Sequence, residues 1–123
     1  MPDHVDILAT FQQDAVALVR FSAVTGLSPA AGVWIFGSEG TLRLEADAKR
    51  LSGAKRGDKE LREIPIPPAR RVGWRVEEEF VNAIRGREKV SRTNFEDGLR
   101  YMEFTDAVTR SAAEGRAVDV ADL

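Results

Sequence analysis

The spacing of apolar residues changes near Gly73, and no other feature of this sequence constrains its fold as strongly. Before that point apolar residues alternate with other residues. After it they recur every third or fourth position. A strand turns alternate side chains to one face, whereas a helix turns every third or fourth. A strand-forming region therefore precedes a helix-forming one, which is an α+β order.

In the first region, Val5 to Phe11 and Ala15 to Val24 read as strands joined by Gln12-Gln13-Asp14. In the second of these, Val16, Leu18, Arg20 and Ser22 share one side, and Ala17, Val19, Phe21 and Ala23 share the other. Thr25 to Gly32 reads as a loop. Val33 to Phe36 and Thr41 to Glu45 form a second hairpin around Gly37-Ser38-Glu39-Gly40, whose glycines permit positive φ. A weaker third hairpin spans Lys49 to Lys55 and Lys59 to Pro67 around Gly57-Asp58. Pro65, Pro67 and Pro68 confine it to an edge.

In the second region, Val76, Phe80, Ala83 and Ile84 predict a helix stopped by Gly86. Thr93 and Glu96 form a capping box for another helix, which carries Phe95, Leu99 and Met102 and ends at Gly115. Ala117 to Val120 reads as a last short strand. The expected architecture is a largely antiparallel open sheet with two C-terminal helices packed on one face.

The chain has 123 residues, 43% apolar and 31% charged, which suits a single domain over residues 1–123 with one core. It has no cysteine and no apolar run of membrane-spanning length. No signal peptide is visible at Met1-Pro2-Asp3-His4. A cytoplasmic protein with no membrane association is expected. The net charge of -2 argues against a general nucleic-acid binder. Nine basic residues do cluster from Lys49 to Arg75: Lys49, Arg50, Lys55, Arg56, Lys59, Arg62, Arg70, Arg71 and Arg75. They could bind an anion, but they lack an aromatic platform before Trp74, and they read as a charged edge hairpin.

The usual sources of chemistry are missing. No glycine-rich phosphate loop follows a strand and opens a helix. Glu77-Glu78-Glu79 occupy successive helix positions, so their carboxylates diverge, and they read as a solvated face at a helix N-terminus. His4 is the only histidine and lies at the terminus, where a catalytic role is not expected. Trp34 reads as packed in a sheet or at a subunit contact. Catalytic, cofactor-binding and metal-ligating residues are assigned to no position.

Three segments, in order, resemble the C-terminal domain of the Gfo/Idh/MocA family of NAD(P)-dependent oxidoreductases. They are Phe36-Gly37-Ser38-Glu39-Gly40-Thr41-Leu42-Arg43-Leu44, then Glu79-Phe80-Val81-Asn82-Ala83-Ile84-Arg85-Gly86, then Asp97-Gly98-Leu99 through Ala107 and Ser111-Ala112 to Gly115-Arg116-Ala117-Val118. The resemblance implies a substrate-binding and oligomerisation domain of a sugar- or polyol-dehydrogenase-like enzyme. It also implies a Rossmann domain, absent here, that would hold NAD or NADP in the full-length parent. That family's E-K-P and Asp-x-x-x-His motifs are absent as well, so the chain alone is expected to be inactive and to hold no cofactor. Its expected partner is a second copy, bound through a sheet face, with Val16, Leu18, Phe21, Trp34 and Phe36 as candidate contacts. The alternative is a free-standing interaction or structural protein that keeps the sheet only for association.

Overall fold

The computed structural model describes residues 2–45, 50–71, 73–91 and 94–122. It has six strands and two helices of more than one turn among them: β1 (His4–Thr10), β2 (Val16–Ser22), β3 (Gly32–Gly37), β4 (Gly40–Glu45), β5 (Leu51–Lys55), β6 (Arg62–Glu63), α1 (Val76–Ile84) and α2 (Phe95–Glu114). The fold class is α+β, as expected. The strands form two antiparallel open sheets, a β1–β2 pair and a four-stranded sheet in the order β3-β4-β5-β6. The chain divides into two compact units: Met1–Asp6 with Val19–Val72, and Ile7–Leu18 with Gly73–Leu123.

The β1–β2 turn is the three-residue loop that its polar sequence suggested. Phe11 N–H donates to the Ala15 carbonyl at 2.8 Å, and Asp14 N–H donates to the Phe11 carbonyl at 3.0 Å. Asp14 takes the left-handed conformation, with φ of 60°, and so closes the loop in the usual way for its length. Alternation holds on both strands: Val5, Ile7, Ala9, Ala17 and Val19 are half-buried, and their sequence neighbours are exposed.

The first unit is built around the β3–β4–β5 meander. β3 and β4 pair from Gly32↔Glu45 to Gly37↔Gly40, leaving Ser38-Glu39 as a two-residue turn. Neither Gly37 nor Gly40 has positive φ, contrary to the sequence expectation. Gly40 is needed for another reason: a Cβ there would collide with the Ala54 carbonyl of β5. The third hairpin forms as β5–β6, with Gly57 at φ +94° in its turn. Asp58 fixes that turn, its Oδ2 accepting from Lys55 N–H at 2.9 Å. Lys49 lies outside the described residues.

In the second unit α1 ends at Gly86, with φ +67°, and α2 ends at Gly115, with φ +66°, the left-handed cap that glycine adopts without steric cost. The cap of α2 begins one residue later than expected. Asn94 Oδ1 accepts from Asp97 N–H at 2.9 Å, while Thr93 lies outside the described residues. The strand expected at Ala117 to Val120 is absent among the described residues. A 3-10 turn, Val120–Asp122, lies against α2 instead. Asp119 accepts from Ala121 N–H at 2.9 Å, and that local bond competes with an extended conformation.

Burial differs most from expectation. Among the described residues only Ala107 (6% exposed) and Glu79 (7%) are buried, and no large side chain is fully enclosed. The chain leaves 11117 Å² accessible, whereas two separate compact bodies of half its mass would together expose only about 7,900 Å². Much of the apolar surface of each unit is therefore uncovered.

Candidate functional site

Register divides the four-stranded sheet into two unlike faces, because residues paired across antiparallel strands point the same way. Trp34↔Arg43↔Ser52↔Glu63 form one row, and Phe36↔Thr41↔Ala54 another beside it. On this face the Trp34 and Phe36 rings stack, with centroids 5.8 Å apart and planes 9° apart. The Arg43 guanidinium lies over the Trp34 ring at 5.2 Å, a cation–π arrangement. Arg50 sits between Glu45 and Glu63, 3.7 Å from each, at the end of the same face. The result is an aromatic edge bordered on its inner side by polar and charged residues.

The opposite face is mainly aliphatic. It carries Val33, Ile35, Leu42, Leu44, Leu51 and Ile64, with Arg62 and Lys55 at its borders. Gly53 lies beneath the Leu42 and Ile64 side chains, and a Cβ there would fall 2.9 Å and 2.8 Å from them. The missing side chain is what lets those two residues close over the sheet.

A third cluster lies on the β1–β2 hairpin within the first unit. Arg20 holds Asp6 in a two-pronged contact, Nε to Oδ1 at 2.7 Å and Nη2 to Oδ2 at 2.8 Å. His4 Nε2 lies 3.4 Å from Asp6 Oδ2. The Arg20 hydrogen bonds hold the Asp6 carboxyl down to about 2. The cluster is an ion pair fixed by the hairpin register. His4 opens β1 beside this carboxylate.

In the second unit the acidic run Glu77-Glu78-Glu79 is not uniformly solvated. Glu79 is buried and accepts from Ser91 Oγ at 2.8 Å and from Ser91 N–H at 3.3 Å. This corrects the expectation of a solvated face at that position. Arg75 bridges Glu78 at 3.0 Å and Glu88 at 3.4 Å, and Asn82 Nδ2 donates to Glu88 at 2.8 Å. The Arg75 guanidinium holds the Glu78 carboxyl below the usual range. Together these contacts tie the segment after α1 back onto that helix. Along α2 the apolar stripe of Phe95, Leu99 and Met102 is exposed.

The structure thus brings Trp34 and Phe36 together. It does not bring Phe21 onto the side of Val16 and Leu18, since strand alternation on β2 separates them. Trp74 is 80% exposed ahead of α1. Several members of the basic block are engaged locally: Arg50 as above, Arg62 with Glu60 at 3.9 Å, Arg71 with the Ile66 carbonyl at 3.1 Å, and Arg75 at α1. Arg43 and Glu79 were missed from sequence. The two-residue turn already implies that Trp34 faces Arg43, so that pair was recoverable. The partner of Glu79 lies twelve residues away in a loop and left no periodic signal.

Neither helix N-terminus suits the pyrophosphate of a dinucleotide. A pyrophosphate seeks a helix N-terminus with free N–H groups and no competing anion. The first turn of α1 carries Glu77, Glu78 and Glu79, and that of α2 carries Glu96 and Asp97 behind the Asn94 cap. Both would repel it. No group of three or more His, Asp or Glu that could hold a metal occurs among the described residues, and no described helix is long and apolar enough to cross a membrane. No protein-family model, curated protein or solved structure matches the chain.

Proposed function

We propose that the chain is a cytoplasmic assembly scaffold, the C-terminal substrate-binding and oligomerisation half of an NAD(P)-dependent oxidoreductase resembling the Gfo/Idh/MocA family. Its chemistry would reside in a separate nucleotide-binding half. In this reading the aromatic face of the four-stranded sheet meets a second copy, and the parent enzyme moves hydride to or from a sugar or polyol. The observation that carries the proposal is the exposed Trp34–Phe36 stack on an open sheet, with the half-buried Arg43 beside it. Tryptophan beside arginine, flanked on the inner side by Thr41, Ser52 and Glu63, has the composition of an association hot spot. The acidic helix starts support the further point that this chain alone binds no nucleotide.

Two measurements test the reading. Titrating NADH and NADPH against the chain, followed by fluorescence, should give no saturation at micromolar cofactor; micromolar binding would sink it. The genomic sequence upstream of Met1 should encode an in-frame strand, glycine-rich turn and helix. A stop codon there in the same frame would favour the free-standing interaction protein instead.

A further inference from the structure

The two edges of the four-stranded sheet are built differently. The β6 edge is two residues long, carries Arg62 and Glu63, and is followed by Pro65, Pro67 and Pro68. Short length, charge and proline are the usual means of keeping a sheet edge from pairing with another chain. The β3 edge has none of them. Gly32-Val33-Trp34-Ile35-Phe36-Gly37 contains no charge and no proline, and every residue in it is exposed. Among the described residues, β3 makes no backbone hydrogen bond beyond its ladder with β4.

The outward backbone groups can be identified. A two-residue turn makes Gly37 and Gly40 a hydrogen-bonded pair, and bonding alternates along an antiparallel ladder. Val33, Ile35 and Gly37 therefore bond to β4. The N–H and C=O groups of Gly32, Trp34 and Phe36 point away from the sheet.

We propose that β3 pairs antiparallel with β3 of a second copy, about a two-fold axis through Ile35, to make one continuous eight-stranded sheet. In this register Trp34 and Phe36 of one copy lie opposite Phe36 and Trp34 of the other. These are the residues whose backbone groups point outward, so both pairs are hydrogen-bonded. Each aromatic ring gains an aromatic cross-strand neighbour, among the more favourable pairings on a sheet. Centring on Trp34 instead would leave Phe36 opposite a glycine. An uncharged, apolar strand calls for an uncharged, apolar partner, and β3 satisfies that requirement itself. The guarded β6 edge stops the sheet from growing at its other end, so the assembly closes as a dimer and forms no filament. The whole length of the strand is open to such a partner, since all six residues from Gly32 to Gly37 are exposed. This edge contact does not depend on the oxidoreductase reading, nor on the sheet-face contact proposed with it.

The absence of cysteine from the sequence gives a clean test. Ile35 of the two copies would form a non-hydrogen-bonded pair with Cα atoms about 4.5 Å apart, inside the range a disulfide accepts, roughly 4.4–6.8 Å. Val33 has nearly the same exposure, 54% against 58%, but would lie opposite Gly37 of the second copy and far from its own counterpart. Under mild oxidation Ile35→Cys should convert mostly to a disulfide-linked dimer, and Val33→Cys at least tenfold less. Adding Phe36→Pro to Ile35→Cys removes an outward N–H without touching the β4 ladder, and should abolish the link while far-UV circular dichroism is unchanged. Should that double variant misfold, Trp34→Pro with Ile35→Cys removes another outward N–H and should weaken the link, at a position that already carries a Cβ. No link from Ile35→Cys, or equal links from both single variants, would overturn edge pairing. A Ser52→Cys link would report sheet-face contact separately, so either contact can fail without the other.

Discussion

The two units hold themselves together by different means. The β3–β6 sheet is a backbone construction: its strands pair in continuous register, and its side chains on both faces remain largely accessible. The helical unit relies on side chains. Glu79, Ser91, Arg75, Asn82 and Glu88 join α1 to the segment that follows it, and Asn94 caps α2. Substitutions that crowd the backbone should therefore damage the sheet most, and loss of single polar groups should damage the helices most. The sheet gives up little by presenting its faces and one edge to a partner, because its polar backbone groups are mostly satisfied already.

The sharpest way to break this contrast is Gly40→Val. Its side chain has no room beside the Ala54 carbonyl, and the meander should lose about 3 kcal/mol, read as a lower urea midpoint. Next is Glu79→Ala, which removes the charged acceptor of the Ser91 hydroxyl and amide and should cost about 2 kcal/mol. Helical circular dichroism should report that loss, while the chemical shifts of β3 to β5 should not move. Asn94→Ala removes one cap and should cost about 1 kcal/mol, with exchange quickening at the first turn of α2.

The smallest effect concerns Asp6. Its carboxyl is depressed from 3.8 to about 2, chiefly by the Arg20 hydrogen bonds. A depressed acid stabilises the fold above its unfolded value and loses that contribution as pH falls through the folded one. The Asp6 contribution should therefore be complete above 3.8 and vanish toward about 2. Arg20→Gln should return the Asp6 carboxyl midpoint, followed by NMR, toward 3.8.

Local order was legible from sequence. Alternation located β1 to β4, helical spacing located α1 and α2, and Gly86 and Gly115 marked their ends, because each of these signals depends on residues adjacent in the chain. Features set by distant partners were not legible. Gly40 is dictated by a neighbouring strand and not by its own φ. Glu79 lies at helical spacing from Val76 and Ala83, but nothing local revealed Ser91 as its partner. Asp6 and Arg20 meet only because the hairpin sets their register. The expected last strand failed for the converse reason: Val118 and Val120 have the propensity, but among the described residues no strand pairs with them. The aromatic group on the sheet was half legible, since the turn length fixed Trp34 against Arg43 while the open edge beside it emerged only from strand order.

Amide hydrogen exchange along β3, measured at several protein concentrations, tests the open edge most directly. The Ile35 amide bonds to β4 and should be protected at every concentration. The Trp34 and Phe36 amides point away from the sheet and should gain protection together as concentration rises. Fast exchange of Trp34 and Phe36 at all concentrations, with Ile35 protected throughout, would contradict the pairing of this edge with a second copy.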